Sequence, residues 1–330
     1  MKYTPIENIR NGDILAMTIF NNDCNILLAA NSELTNSNIR RIKNLGFKGL
    51  YIYDDNANVN IDLLSDDIRQ TALKSLKHIN IDDCLYIANA ITNKLIENPA
   101  MLYELTTICS YDTKTYMHSI NVALLSVIIG IDMQLSNNTL YELAQAALLH
   151  DIGKTCIDEK ILNKKGKLTD SEYNIMKRHT IFGYNMLMKN ESVSEIVCDS
   201  VKSHHENEDG SGYPCGLKSR EIPLFAKIIH VADVYDAMIS ARSYKDRLNP
   251  ADVLEYLMGN TNIFDISVIN SLINCVALYP TGSEVLLSTG ETAVVIKNEP
   301  GYPQRPEIKL NKKYIKLMET LDITITALLT

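Results

Sequence analysis

The sequence predicts a mainly α protein, with an all-helical central domain flanked by a small N-terminal α+β module and a small C-terminal β module. Three observations carry this expectation. Apolar residues recur at helical spacing from about residue 62 to residue 277, short turn-bounded apolar runs precede that stretch, and short alternating runs follow it. At 330 residues, 46% hydrophobic and 22% charged, the chain is ordinary globular material with length for two or three domains. The expected division is 1–60, 61–279 and 280–330.

In the first module, Gly12-Asp13 and Asn21-Asn22 mark turns between apolar segments 14–20 and 26–30. The run Leu34-Thr35-Asn36-Ser37 offers caps for a helix through Leu45, which Gly46 stops, and Gly49 to Tyr53 reads as a closing strand. After an Asp/Asn-rich stretch, helices are expected over roughly 62–97, 99–109, 112–133, 137–152, 170–188, 192–206, 223–241, 250–258 and 265–277. Thr169 precedes Glu172 by three residues, as a capping box requires, and Pro223 and Pro250 suit first-turn positions. From Pro280 on, runs 284–287 and 293–297, broken by Thr281-Gly282, Thr289-Gly290 and the Pro/Gly-rich 299–306, predict three to five strands.

A net charge of −8 argues against a grip on long nucleic acid or on an anionic membrane, because both reward a basic face. Any anionic substrate must therefore meet local cations. The apolar run Val122 to Ile131, interrupted by Ser126 and Gly130, is shorter than the roughly 20 residues a bilayer needs. The opening MKYTPIENIR lacks the apolar core of a signal peptide. The seven cysteines (24, 84, 109, 156, 198, 215, 275) are scattered with no CxxC, which suits a reducing cytoplasm and offers no thiolate zinc site.

Of seven histidines, His118, His150, His179, His204 and His205 fall in the helical region with an Asp beside one of them, as His150-Asp151, and two adjacent to each other. Taken singly, a helical histidine such as His118 or His179 is more often a core or surface residue than a ligand. Together, neutral imidazoles and carboxylates are the donors divalent transition metals prefer, and one carboxylate can bridge two ions. His78 and His230 are read as structural, although His230 stands one turn before Asp233 and can shape the surroundings of a ligand.

Around these residues the strings LLHDIGK (148–154), NKKGKLTDSEYNIMKRHT (163–180), HHENEDGSGYP (204–214) and IPLFAKIIHVADVYDAMISARSYK (222–245) resemble the HD-GYP family of HD-superfamily metal-dependent phosphohydrolases. The resemblance covers about residues 100–260, so the central domain is expected to be an HD-type domain. It implies that His118, His150, Asp151 and Asp233 ligate one metal and that Asp151, His179, His204 and His205 ligate a second, with Asp151 as the bridge. Members with a third metal carry Glu four residues before the first ligating His; here Lys114 stands there, so two ions are expected. Iron or manganese is usual in the family, and the donor set also admits zinc, nickel or magnesium.

Two cations sharing a water lower its pKa and stabilise charge on an attacked phosphoryl group, so no serine or cysteine nucleophile is needed. Asp151 and Lys154 are the expected catalytic residues; Lys154, Arg242 and Lys245 match family positions that contact substrate phosphates, and Tyr213 is also expected to bind substrate. In the loop Gly210, Gly212, Tyr213 and Pro214, the glycines suit positive φ or close backbone approach and the tyrosine offers a ring and a hydroxyl. Glu206 and Asp209 are candidates to orient imidazoles, and Asp236 either does the same or simply caps charge. The sequence departs from the family at Asn207-Glu208, Lys165 and Ala241; Glu208 adds negative charge beside a phosphate-binding loop, which Lys164, Lys165 and Lys167 can offset. The resemblance implies hydrolysis of cyclic di-GMP to pGpG and leaves open whether hydrolysis continues to GMP. The alternatives are another cyclic dinucleotide such as cyclic GMP-AMP, or a receptor that binds without cleaving. The terminal modules leave a homodimer contact and a signalling-protein partner both open.

Overall fold

The computed structural model describes residues 2–21, 23–47, 49–53, 64–97, 103–104, 114–164, 166–239, 250–279 and 281–329. In chain order the first elements are β1 (Lys2–Pro5), β2 (Ile19–Phe20), β3 (Ile26–Leu28), α1 (Asn36–Asn44) and β4 (Gly49–Ile52). Then come α2 (Asp66–His78), α3 (Ile81–Ile96), β5 (Tyr103–Glu104), α4 (Lys114–Asp132), α5 (Asn137–Leu149) and a 3₁₀ turn at Ile152–Cys156. Next are α6 (Glu159–Leu162), α7 (Asp170–Lys177), α8 (His179–Leu187), α9 (Glu195–Ser203), α10 (Leu224–Ile239), α11 (Pro250–Gly259) and α12 (Ile266–Cys275). The chain ends in β6 (Val276–Ala277), β7 (Glu284–Leu287), β8 (Thr292–Lys297), β9 (Glu307–Leu310), β10 (Lys313–Lys316) and β11 (Ile325–Leu328). None of the helices is long and apolar enough to cross a membrane, among the described residues.

Two compact units divide the chain: 1–70 with 102–114 and 273–330, and 71–101 with 115–272. In the first, β1 pairs antiparallel with β4, and Ile6, Leu15, Leu34, Ile42, Leu50 and Ile52 form a core. The Thr35 hydroxyl accepts the Asn38 amide at 3.2 Å and so caps α1, while Gly46 leaves the helix with φ +88°. The five C-terminal strands form one antiparallel sheet in the order β10-β9-β8-β7-β11. Alternation places Val285, Leu287, Ala293, Val295 and Ile308 inward.

In the second unit α9 packs against α5, α8 and α10, and α8 packs against the 3₁₀ turn. Helix α4 is apolar around most of its circumference, and Val122, Ala123, Leu125, Val127 and Ile129 are buried. The capping box at Thr169 and Glu172 forms as expected.

Several helices are shorter than their periodicity predicts. The stretch 62–97 breaks at Ile79 (φ +57°), after which the Asn80 side chain accepts the Asp83 amide and starts α3. Apolar spacing runs through the break because each helix buries an apolar face, but an N-cap side chain offers the backbone a rival partner. Expected helix 137–152 stops at Leu149, and 170–188 divides at Arg178. Residues 103–104, expected within helix 99–109, pair parallel with Val276–Ala277, which also ends α12 before 277. The rest of 99–109 lies outside the described residues.

Candidate metal centre

Both helix interruptions put an imidazole at a helix end. His150 caps the end of α5, His204 caps α9, and His179 follows the last turn of α7. The last turn of any helix leaves carbonyls without amide partners. Each of these histidines takes the one three residues earlier: His150 Nδ1 lies 2.8 Å from the Ala147 oxygen, His179 Nδ1 2.8 Å from that of Met176, and His204 Nδ1 2.7 Å from that of Val201. A carbonyl only accepts, so Nδ1 carries the proton in all three rings and Nε2 offers a lone pair inward.

These lone pairs converge. His179 Nε2 and His204 Nε2 stand 3.4 Å apart in rings 1% and 0% exposed. Burial lowers both pKa values, so neither nitrogen gains a second proton to donate across that gap. Two buried lone pairs facing each other repel, whereas a divalent cation held by both nitrogens would satisfy them. His205 joins them, its ring centroid 5.2 Å from that of His179 and 4.1 Å from that of His204. Burial lowers its pKa to about 3.

Asp151 connects this trio to a second group. Its Oδ1 faces His179 Nε2 at 3.5 Å and its Oδ2 faces His150 Nε2 at 3.3 Å. The buried His150 Nε2 and Asp151 Oδ1 have no hydrogen-bond partner. Such orphaned atoms forfeit about 1–3 kcal/mol each, so a bound cation accounts for them better than the protein alone does. Potential ligand atoms lie within 4.8 Å of one another in each of two groups, His179-His204-His205 and His118-His150-Asp151.

His118 is held differently. Its Nε2 lies 2.8 Å from Asp233 Oδ1 and its Nδ1 2.7 Å from Asp236 Oδ2. Burial opposes charge on the ring, but the two carboxylate hydrogen bonds outweigh it and raise the pKa to about 10. Asp236 also accepts from Asn121 Nδ2 at 3.0 Å. The expected orienting role therefore falls to Asp236 on His118, and to helix carbonyls on His150, His179 and His204.

The carboxylates of Glu206 and Asp209 bind the loop instead of an imidazole, while the Glu206 backbone hydrogen-bonds His230. The buried Glu206 carboxylate accepts the backbone amides of Cys215, Gly216 and Leu217 at 2.6, 3.1 and 3.0 Å. Asp209 accepts from Ser211 and Asn262. Both organise the loop that carries Tyr213, whose ring lies 4.8 Å from that of His205. In this loop Gly210 has φ +82°, and a Cβ on Gly212 would meet backbone atoms of residues 205–207 at 2.4–2.5 Å. The charge of Glu208 is neutralised by Lys227 at 2.9 Å, which also pairs with Asp265 at 3.0 Å. Lys164 pairs with Glu172, and so is already neutralised.

Lys154 sits on Asp151 Oδ2 at 2.5 Å, partly exposed above the cluster. His230 stacks 4.8 Å from Phe264 and 6.3 Å from His205. Arg242 and Lys245 lie outside the described residues. The structure thus gathers His118, His150, Asp151, His179, His204, His205 and Asp233 from α4, α5, α8, α9 and α10 and their ends, with Lys154 and Tyr213 beside them.

Comparison with known proteins gives the chain's relatives. A cyclic di-GMP phosphodiesterase of Pseudomonas aeruginosa is 36% identical over 224 residues, 68% of this chain and 54% of the relative. A cyclic di-GMP phosphodiesterase of Thermotoga maritima is 45% identical over 136 residues, 41% of this chain and 37% of the relative. The matched segments thus span about half the length of these curated relatives or less. Among solved structures, an HDG"Y"P protein of Bdellovibrio bacteriovorus shares the fold, with 18% identity, TM-score 0.53, and coverage of 82% of this chain and 97% of that one. A model of the HD domain matches residues 95–268. The chain belongs to the HD-domain family.

Proposed function

We propose that the chain is a metal-dependent phosphodiesterase that opens cyclic di-GMP to pGpG and carries hydrolysis on to GMP. The observation that carries this reading is the cluster itself, with inward-facing Nε2 lone pairs and an aspartate that turns one oxygen to each group. The names of the 36% and 45% identical relatives support the substrate.

His118, His150, Asp151 and Asp233 would hold one divalent ion, and His179, His204, His205 and Asp151 the other, with iron or manganese our expected pair. Such ions supply Lewis acidity, lowering the pKa of water and stabilising phosphoryl charge. The chain's own part is positional. Three helix carbonyls fix the imidazole tautomers, so the lone pairs need no rearrangement before use. Lys154, at the partly exposed edge of Asp151, meets a substrate phosphate, and we assign Arg242 and Lys245 the same task. Tyr213 closes the side next to His205 and excludes water from it. No disulfide forms among the described cysteines, which supports a reducing, cytoplasmic setting.

The test is turnover of a cyclic dinucleotide panel by manganese- or anaerobically iron-loaded protein, with products separated by chromatography. Cyclic di-GMP is expected to yield pGpG and then GMP. Rapid turnover of another dinucleotide with none of cyclic di-GMP overturns the substrate, and tight binding without product makes the chain a receptor.

A further inference from the structure

Beside Tyr213 stands a cation that the assignments above leave unused. Lys177, in the last turn of α7, places Nζ 4.6 Å from the Tyr173 ring centroid and 5.6 Å from that of Tyr213. The Tyr213 ring in turn lies against His205. Tyr173, Lys177, Tyr213 and His205 therefore form a continuous path from the protein surface to the imidazole cluster. Tyr173, at its outer end, is 46% exposed.

Its charge separates Lys177 from three of the other lysines named above. Lys154, Lys164 and Lys227 each lie on a carboxylate. Among the described residues no carboxylate lies within ion-pair distance of Lys177, and its neighbours are two aromatic faces. Aromatic faces hold an ammonium by their quadrupoles without neutralising it, so its positive field stays available to an anion arriving beside the rings. The exposed face of Tyr173 meanwhile offers a stacking surface, and every nucleobase has a face to match it. In a chain of net charge −8, an unneutralised ammonium between two rings at the rim of a phosphodiesterase centre matches one ligand chemistry: a nucleotide with a second phosphate and a base beyond the reacting one.

We propose that Tyr173 and Lys177 form a substrate-recognition shelf, Lys177 meeting the phosphate of the cyclic dinucleotide that is not being cleaved and Tyr173 stacking on a purine base. The shelf rests on the phosphodiesterase reading above. It sets KM and dinucleotide selectivity, and Tyr173 and Lys177 are positioning residues for the reaction.

The experiment compares the full chain with Lys177→Ala, Lys177→Arg, Tyr173→Ala and Tyr173→Phe after manganese loading. Metal content, kcat and KM for cyclic di-GMP are measured, together with selectivity for it over methyl p-nitrophenyl phosphate, a diester with no base and no second phosphate. Lys177→Ala and Tyr173→Ala are each expected to raise KM for cyclic di-GMP by about tenfold, with the selectivity ratio falling equally and kcat little changed. Lys177→Arg and Tyr173→Phe are expected to restore most of the loss, because charge and ring are kept. Unchanged KM in both alanine variants overturns the shelf. So does a fall in kcat for both substrates accompanied by metal loss, since that marks a merely structural pair. If the parent binds cyclic di-GMP without cleaving it, the phosphodiesterase reading fails while the shelf is judged by equilibrium binding, where the alanine variants must raise Kd by the same factor. A parent that neither cleaves nor binds removes both.

Discussion

A Cβ built on Gly153 would lie 1.9 Å from the carbonyl oxygen of His179 and 2.5 Å from the amide nitrogen of Gly183. The 3₁₀ turn after Asp151 thus runs against the first turns of α8 with no side chain between them. This contact sets the reach from Asp151 Oδ1 to His179 Nε2. Both atoms at risk belong to backbone, so neither can rotate away. Gly153→Ala is expected to cost about 3 kcal/mol or more and to deplete metal, read by thermal melting and elemental analysis. Gly259→Ala, with nothing within 4 Å of its new methyl, is the matched control and should melt within a degree or two of the parent. A Gly153→Ala protein that melts normally and holds both ions would show that this approach does not set the geometry.

Asp151 turns one oxygen toward each imidazole group. Asp151→Ala is therefore expected to lose both ions and all hydrolysis, whereas His205→Ala, which touches one group, should keep about one ion per chain. Elemental analysis of anaerobically prepared protein decides it. Two ions retained in Asp151→Ala would refute the shared role.

Glu206 satisfies three consecutive amides of the loop behind Tyr213. Glu206→Ala leaves those donors unpaired and is expected to destabilise the loop by about 2 kcal/mol. Amide exchange at residues 215–217 should accelerate and KM should rise, with metal content near that of the parent. Exchange at the parental rate would mean that water replaces the carboxylate without loss.

Glu172 supplies the pH dependence. The Lys164 ammonium, followed by the Thr169 amide and hydroxyl, lowers its carboxyl from an ordinary 4.5 to about 2. A group depressed in the folded state contributes its stabilisation above the unfolded value, so that contribution is present above about pH 4.5 and fades as pH falls toward 2. Amide exchange in the first turn of α7 is expected to quicken over that window, and Glu172→Gln should show faster exchange already at neutral pH with little further change on acidification. Identical profiles for both proteins would rule out the capping carboxylate as the cause.

Replacing Arg242 tests a residue that only sequence assigns. Arg242→Ala is expected to raise KM about tenfold with metal content intact, because a phosphate contact acts on substrate and not on the ions. Unchanged kcat and KM would make it an ordinary surface cation.

Sequence patterning revealed much of this molecule for identifiable reasons. Strands β7 and β8 fall within a residue of their expected limits because alternation and a positive-φ Gly290 mark both sides of the turn. The capping box is legible because its partners are three residues apart. The breaks at Asn80 and Arg178 were not, since apolar spacing reports which side of a helix is buried but not which side chain takes its backbone groups. The role of the Glu206 carboxylate was hidden for a related reason. Ligating imidazoles usually need an acidic partner, which suggested imidazole orientation, whereas the folded loop curls three amides back onto the carboxylate. Lys177 was overlooked because a Tyr-Lys pair four residues apart is common on helix surfaces, and only folding brings Tyr213 alongside it.

Because the rings of His150, His179 and His204 hang from carbonyls in the last turns of α5, α7 and α9, helix length is itself a coordination parameter. Adding or deleting one residue near the end of α5, α7 or α9 would swing the imidazole by about 100° around the helix axis while leaving its identity intact. Insertions and deletions in these three segments should thus be as damaging to the centre as replacing the histidines themselves, whereas substitutions that preserve register should be far better tolerated.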